Sequence, residues 1–365
     1  DTITYEYDLR NRLTAKRYAD GTSVLFTYTA VGQRETVTDS RGVTTYAYDV
    51  RGRLLSRTDP DGTTISYTYD AAGNRLTVTI PSGTTTYTFD ALNRMATVTD
   101  PDGGITAYTY DAMGRLIQTD LPNGTTDSRT YDSLHRLVSI EHSNAVGTFS
   151  SFVYTYDAAG NRIAVDEFGD RRVEYTYDAV NRLIGESITD PVNGDRTIDY
   201  TYDPVGNRLS RVDSAEGTTT YTYDANDRLL TETLGGQITT YMYDANGNTL
   251  TKDDGTTVVT YEWGYENRLM AADTDGDGVV DVEYQYDADG IRVSKTADGQ
   301  ETRFLIDANR RYAQVLAEYA PGGAVSVSYV YGTDLVSQKR DTGTSYYHVD
   351  GLGSTRALTD PTGVV

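Results

Sequence analysis

One short phrase recurs from end to end of this chain: an aromatic, a spacer, an aromatic, an Asp, and then a turn centred on Gly or Asn. It reads Tyr5-Glu6-Tyr7-Asp8, Tyr46-Ala47-Tyr48-Asp49, Tyr67-Thr68-Tyr69-Asp70 and Tyr108-Thr109-Tyr110-Asp111, and it still stands at Tyr284-Gln285-Tyr286-Asp287. With degenerate copies included, the Asp column occupies positions 8, 29, 49, 70, 90, 111, 132, 157, 178, 203, 224, 244, 264, 287 and 307, mostly 20 or 21 residues apart. A fixed period of this length makes each copy one supersecondary unit and the whole an array. The 365 residues would by length alone suggest two or three domains, but no linker interrupts the series.

Within a copy the alternation is strict. In Thr64-Ile65-Ser66-Tyr67-Thr68-Tyr69, residues Ile65, Tyr67 and Tyr69 share one face and the polar residues the other, which is the period of a strand. After the turn, Leu76, Val78 and Ile80 alternate with Arg75, Thr77 and Thr79, giving the partner strand. Three residues after each Asp stands Asn11, Gly32, Gly52, Gly73, Asn93, Gly114, His135, Gly160, Asn181, Gly206, Asp227, Gly247, Asn267 or Gly290, with Arg310 the one misfit. These residue types tolerate positive φ, so the column predicts a left-handed turn position, and the preceding Asp can cap it by accepting backbone N–H groups two residues on. A second kind of turn, Asp59-Pro60-Asp61-Gly62 or Asp100-Pro101-Asp102-Gly103, joins one hairpin to the next.

The sequence therefore predicts an all-β fold: antiparallel β-hairpin repeats, about thirty strands in all. At about 4.8 Å per strand such a sheet laid flat is on the order of 140 Å wide, so it must coil into a spiralling shell or part of one. Tyr ladders, with Arg12, Arg53, Arg75, Arg115, Arg162 and Arg182 stacked on them or paired with the Asp column, supply many small equal contributions.

Charge and composition remove several functions. The net charge of -22 repels phosphate backbones and anionic lipid, so nucleic acid is not an expected partner. No apolar run is long enough for a membrane span, and with no Cys there is no disulfide framework or thiolate nucleophile. The first residues already read as strand, so any targeting signal is expected upstream of this fragment.

The Tyr-Asp phrase followed by Gly, Arg and Leu, as in Tyr48-Asp49-Val50-Arg51-Gly52-Arg53-Leu54, resembles the Rhs/YD-repeat family, and the resemblance covers essentially the whole chain. Near the end, Tyr329-Val330-Tyr331-Gly332-Thr333-Asp334-Leu335 and Tyr346-Tyr347-His348-Val349-Asp350-Gly351-Leu352-Gly353-Ser354-Thr355-Arg356 look like the start of the Rhs-associated core. The domain reading is accordingly a repeat array over 1–328 and the start of that core over 329–365. The resemblance implies a hollow β-shell of spiralling hairpins, as in bacterial polymorphic toxins, Tc-toxin cocoons and animal teneurins. It implies a non-enzymatic shell of a secreted or cell-surface protein, which encapsulates a C-terminal toxin or effector of the same polypeptide and helps deliver it. Secretion-system or shell proteins are the further partners so implied. The alternative is an extracellular carbohydrate-binding or adhesion module, with glycans stacked on Tyr faces. In the family an autoprotease cuts the effector free after an Asp-Pro-x-Gly motif. Asp360-Pro361-Thr362-Gly363 carries only its first letters and reads as a repeat turn like Asp59-Pro60-Asp61-Gly62.

No catalytic residue is assigned. The metal candidate is the loop Asp273-Thr274-Asp275-Gly276-Asp277-Gly278-Val279-Val280-Asp281, where Asp273, Asp275, Asp277 and Asp281 could supply carboxylates and Val279 a carbonyl to Ca2+. Tyr284 stands where an EF-hand needs its bidentate Glu, so the choice lies between a Ca2+ loop in a hairpin and an acidic surface turn. Of the histidines, His135 fills the positive-φ column, His142 lies in a longer inter-repeat stretch, and His348 stands beside Asp350 in the setting of a structural hydrogen bond. No Ser/His/Asp spacing and no histidine metal cluster is visible.

Overall fold

Each Tyr-x-Tyr-Asp phrase ends one strand, and the residues after the turn begin the next. Strand Thr64–Tyr69 pairs antiparallel with Arg75–Ile80, setting Tyr67 opposite Val78 and Thr68 opposite Thr77. Between them the Asp70 amide donates to the Asn74 carbonyl at 2.9 Å and the Gly73 amide to the Asp70 carbonyl at 3.3 Å. The left-handed column is real: Asn11, Asn93, His135, Asn181, Asp227 and Asn267 have φ of 60, 60, 64, 63, 61 and 55°, and Gly73 has 100°. A tight turn closed by a left-handed residue inserts a bulge at the foot of the hairpin. At Arg310, the misfit, the column gives way to a longer connection, from Asp307 to its cross-strand partner Gln314.

That bulge corrects one expectation. Simple alternation put Arg75 on the face opposite Leu76 and Val78. The register shift between Thr68 and Tyr69 instead places Arg75 across from Tyr69, with its guanidinium 5.4 Å from the Tyr67 ring. The extra residue, Leu76, breaks the alternation at the hairpin foot, so Arg75 takes the Tyr face while Val78 keeps its place opposite Tyr67.

In this computed structural model, which describes residues 2–365, the described residues form 34 strands of one antiparallel sheet and no helix. The strand pairings join each strand to its successor in the chain, as from Ile3–Tyr7 through Leu13–Tyr18 to Ser23–Tyr28. One face is apolar and buried, with Ile65, Tyr67, Val78, Tyr87 and Val98 all within it. The other carries hydroxyls paired across strands: Thr68 with Thr77 at 2.7 Å, Thr88 with Thr97 at 2.6 Å and Thr222 with Thr231 at 2.7 Å. The abundance of Thr is thus the polar half of the strand pattern.

Two compact units share the chain. The first comprises Asp1–Ala107, Glu262–Ala272 and Val280–Ser345. Inside it the early repeats are held to late ones: Lys16 Nζ reaches Glu266 Oε1 at 2.7 Å, Arg34 Nη1 reaches Asp289 Oδ2 at 2.7 Å, and the Tyr319 hydroxyl donates to Asp61 at 2.9 Å. The second comprises Tyr108–Tyr261, Asp273–Val279 and Tyr346–Val365. Inside it Asn123 Nδ2 donates to Thr359 Oγ1 at 2.9 Å and Arg356 Nη2 to Glu167 Oε2 at 2.9 Å. Within each unit, then, the sheet comes back onto its own earlier hairpins, as a sheet too wide to stay flat must.

Candidate functional site

The repeated unit is a clamp. Asp49 Oδ1 accepts the amides of Arg51 and Arg53, each at 2.9 Å, while Oδ2 meets Arg53 Nε at 2.6 Å. The same guanidinium donates to the Asp70 carbonyl of the next copy at 2.8 Å and lies 4.8 Å over the Tyr69 ring. Tyr69 answers by donating its hydroxyl to the Leu54 carbonyl at 2.8 Å. Arg115 with Tyr131, Arg136 with Tyr156 and Arg182 with Tyr202 repeat the stacking at 4.9, 4.7 and 5.0 Å. Amide and guanidinium donors from the Arg four residues on hold the carboxyls of Asp8, Asp49 and Asp90 below the usual Asp range. Each acid of the column is therefore occupied by turn and neighbour, and none is free for proton transfer in these copies.

Where Asn replaces that Arg, the clamp changes hands. Asn74 Nδ2 bridges Asp70 Oδ2 and Asn93 Oδ1 at 2.8 and 2.9 Å, and Asn161 and Asn207 repeat the bridge. The Arg one residue later then turns to the aromatic face, as Arg75 and Arg162 do. Arg75 there meets Asp307 Oδ2 at 2.6 Å while the Tyr67 hydroxyl donates to Oδ1 at 2.8 Å. Asp307 has no solvent exposure, so this seam inside the first unit is a buried charged knot between repeats 232 residues apart. Burial, then the charge of Asp307, pushes the Tyr67 hydroxyl far above the ordinary tyrosine range, and it stays a donor.

Folding also makes a histidine cluster that spacing did not reveal. His142 Nδ1 and His348 Nδ1 both meet Asp127 Oδ1, at 2.6 and 2.8 Å, and His348 Nε2 meets Thr359 Oγ1 at 2.9 Å. Asp350, the expected neighbour, is instead taken up by its own turn, accepting the Leu352 and Ser354 amides. All three clustered side chains are buried. Burial alone would raise the Asp127 carboxyl, but the hydrogen bonds from the two imidazoles overcome it and hold it at about 2. A signal was present in the sequence: Asp127 takes the strand position that Ile65 fills elsewhere, and His142 that of Ile80. Polar residues in an apolar column needed a partner, and the partner lay 221 residues away.

The acidic loop and the Asp-Pro-x-Gly segment both make local turn hydrogen bonds. Asp273 is buried, with Oδ1 accepting the Gly276 amide at 2.7 Å and Oδ2 the Gly278 amide at 2.8 Å. Asp275 and Asp277 are exposed and accept the amides of Asp277 and Val279; Val279 is exposed as well. Asp281 belongs to the first unit, where its amide donates to the Ala272 carbonyl at 2.9 Å. At Asp360-Pro361-Thr362-Gly363 the Gly363 amide donates to the Asp360 carbonyl at 3.0 Å, which is the hydrogen bond that Gly62 makes to Asp59 at 2.9 Å.

A sheet of Tyr-Asp hairpins, clamped copy to copy and seamed within each unit, is the architecture of a YD shell. The chain belongs to the Teneurin YD-shell family, whose model matches residues 32–186 and 164–365, and the RHS Repeat model matches residues 7–45. It is 30% identical over 103 residues to the tRNA3(Ser)-specific nuclease WapA of Bacillus spizizenii, a match covering 28% of this chain and 4% of that protein. It also resembles the crystal structure of TcdB2-TccC3 (TM-score 0.59, 17% identity, 99% of this chain and 25% of that one). The Tc holotoxin pore of Photorhabdus luminescens is similar too (TM-score 0.58, 17% identity, 100% of this chain and 24% of that one). At such identities the likeness is one of fold, and the chain spans about a quarter of those structures.

Proposed function

We propose that this chain is a wall segment of a YD shell, secreted or displayed at a cell surface, that encloses a C-terminal effector of the same polypeptide and contributes no chemistry of its own. The observation that carries this reading is the seam at Asp307, which ties repeats 232 residues apart into one wall. The shell complexes with TccC3 and the nuclease relative accord with a container for a toxic domain. On this reading the array over 1–328 is wall and 329–365 begins the core beside the effector. Glycan binding would need open ring faces. Tyr28, Tyr69, Tyr131 and Tyr202 are instead each covered by a guanidinium, which favours the wall.

The test expresses the chain together with the coding sequence that follows it in its gene. A wall segment leaves the downstream domain protease-resistant and silent until mild denaturant opens the shell. A downstream domain active and cleaved from the outset counts against the proposal, as does specific micromolar binding on a glycan array. For the acidic loop the favoured role is a surface turn, because two amides already occupy the Asp273 carboxylate. Calorimetry with millimolar Ca2+ should give no heat, and a saturable signal lost in Asp273→Asn would reverse that assignment.

A further inference from the structure

The cluster at Asp127 has no place in a purely structural repeat. Strands Thr126–Tyr131 and Leu137–Asn144 set Asp127 directly opposite His142, and His348 joins them from the final hairpin of the second unit. One ligating atom from each of the three lies within 4.8 Å of the others. The polar partners of Asp127 among the described residues are the two imidazoles, so a buried carboxylate faces no permanent cation. Burying a charge without a counter-charge is costly.

One nitrogen of the cluster's rings is left over. His142 Nε2 is buried and has no hydrogen-bond partner among the described residues. With Nδ1 turned to Asp127, Nε2 lies on the far edge of the ring, so an ion at the cluster binds His142 through Nδ1 and leaves Nε2 to a buried water. Buried polar atoms are normally satisfied, and a water is the partner such a nitrogen takes, outside the proposed coordination.

We propose that Asp127, His142 and His348 bind one divalent transition cation, Zn2+ by preference, which fastens the final hairpin to the earlier repeats of the same unit. Two imidazoles and one carboxylate are a donor set for zinc and its neighbours, whereas Ca2+ and Mg2+ ask for oxygen. Tetrahedral zinc with bonds of about 2.0–2.2 Å spaces its ligand atoms about 3.3 Å apart, so each imidazole withdraws from Asp127 by roughly half an ångström. The surroundings suit such an ion. Thr359 Oγ1 meets His348 Nε2 at 2.9 Å and is itself held by Asn123 Nδ2 at 2.9 Å, fixing the ring as outer-shell partners do. The Phe149 ring packs edge-on against His348 at 5.0 Å, and Phe152 against His142 at 6.3 Å, keeping water back. Three protein ligands leave the fourth position to a water molecule.

The experiment takes the chelator-treated chain and titrates it with Zn2+ by calorimetry and with Co2+ by visible absorption. The expected result is one ion per chain, bound at micromolar Kd or tighter, with the intense d–d bands of a low-coordinate Co2+ site. His142→Gln and His348→Gln should each weaken binding by more than about a hundredfold, beyond what loss of a supporting hydrogen bond does. Circular dichroism of each variant separates lost ligation from lost folding. On the unaltered chain, zinc should slow proteolysis within 346–365 and chelator should restore it. Absence of saturable binding at submillimolar ion overturns the proposal, and so does a folded His348→Gln chain that binds zinc as tightly as the parent.

Discussion

Asp49 shows how much of a repeat one residue can organise. Its two oxygens close a turn, hold Arg53, and through Arg53 reach the next copy. That role was legible in the sequence because the Gly, Asn, Asp and His column three residues on has a single physical meaning, positive φ. Asp127 and His142 were legible only as polar residues in an apolar column, since nothing local names His348 as their partner. Glycines at the two kinds of turn should differ. Gly73, at φ +100 and with nothing within 4 Å of the place a Cβ would take, should lose about 1–2 kcal/mol on replacement by Ala, from the left-handed backbone alone. Gly83, at φ +143, would put a Cβ 2.5 Å from Pro101 Cβ, and Gly83→Ala should lose about 1–3 kcal/mol more than that. Urea midpoints of the two variants check this, and equal losses would mean that Pro101 yields freely.

At the scale of strands and hairpins, alternation and turn chemistry were enough to place the elements, because each hairpin is a local object. Register at the hairpin foot was not, because the bulge beside Tyr69 is a one-residue event that alternation ignores, and it moved Arg75 to the other face. The seam was also out of reach: Arg75 and Asp307 find one another only once the intervening hairpins have coiled. Removing Asp307 leaves the Arg75 guanidinium, and that of Arg310 at 3.8 Å, without their carboxylate. Asp307→Ala should therefore destabilise the first unit by about 3–5 kcal/mol, and Asp307→Ala combined with Arg75→Met should recover much of it. A double-mutant cycle in urea measures the coupling; additive losses would mean that the seam is held by packing alone.

For the whole molecule, acid is the revealing variable. The carboxyls of Asp8, Asp49, Asp70 and Asp90 lie below their ordinary value, Asp70 chiefly through the Asn74 side chain and the others chiefly through an Arg amide. A depressed folded-state pKa means stability that is fully present above the unfolded value, about 3.9, and lost as pH falls through the folded one. The same protonation uncovers the repulsion among 32 Lys and Arg that 54 acids otherwise offset. Sheet circular dichroism should hold steady to about pH 4 and collapse below it, earlier at low salt; a signal unchanged at about pH 2 would show that the clamps contribute nothing.

The hook by which Arg53 grips the following turn, answered by the hydroxyl of Tyr69, also has a mechanical meaning. Neighbours grip neighbours, so under tension from its two ends the wall has no single point of rupture once its seams have parted. It should unreel like a ratchet, one copy at a time, in increments of about 70 Å for roughly every 20 residues released.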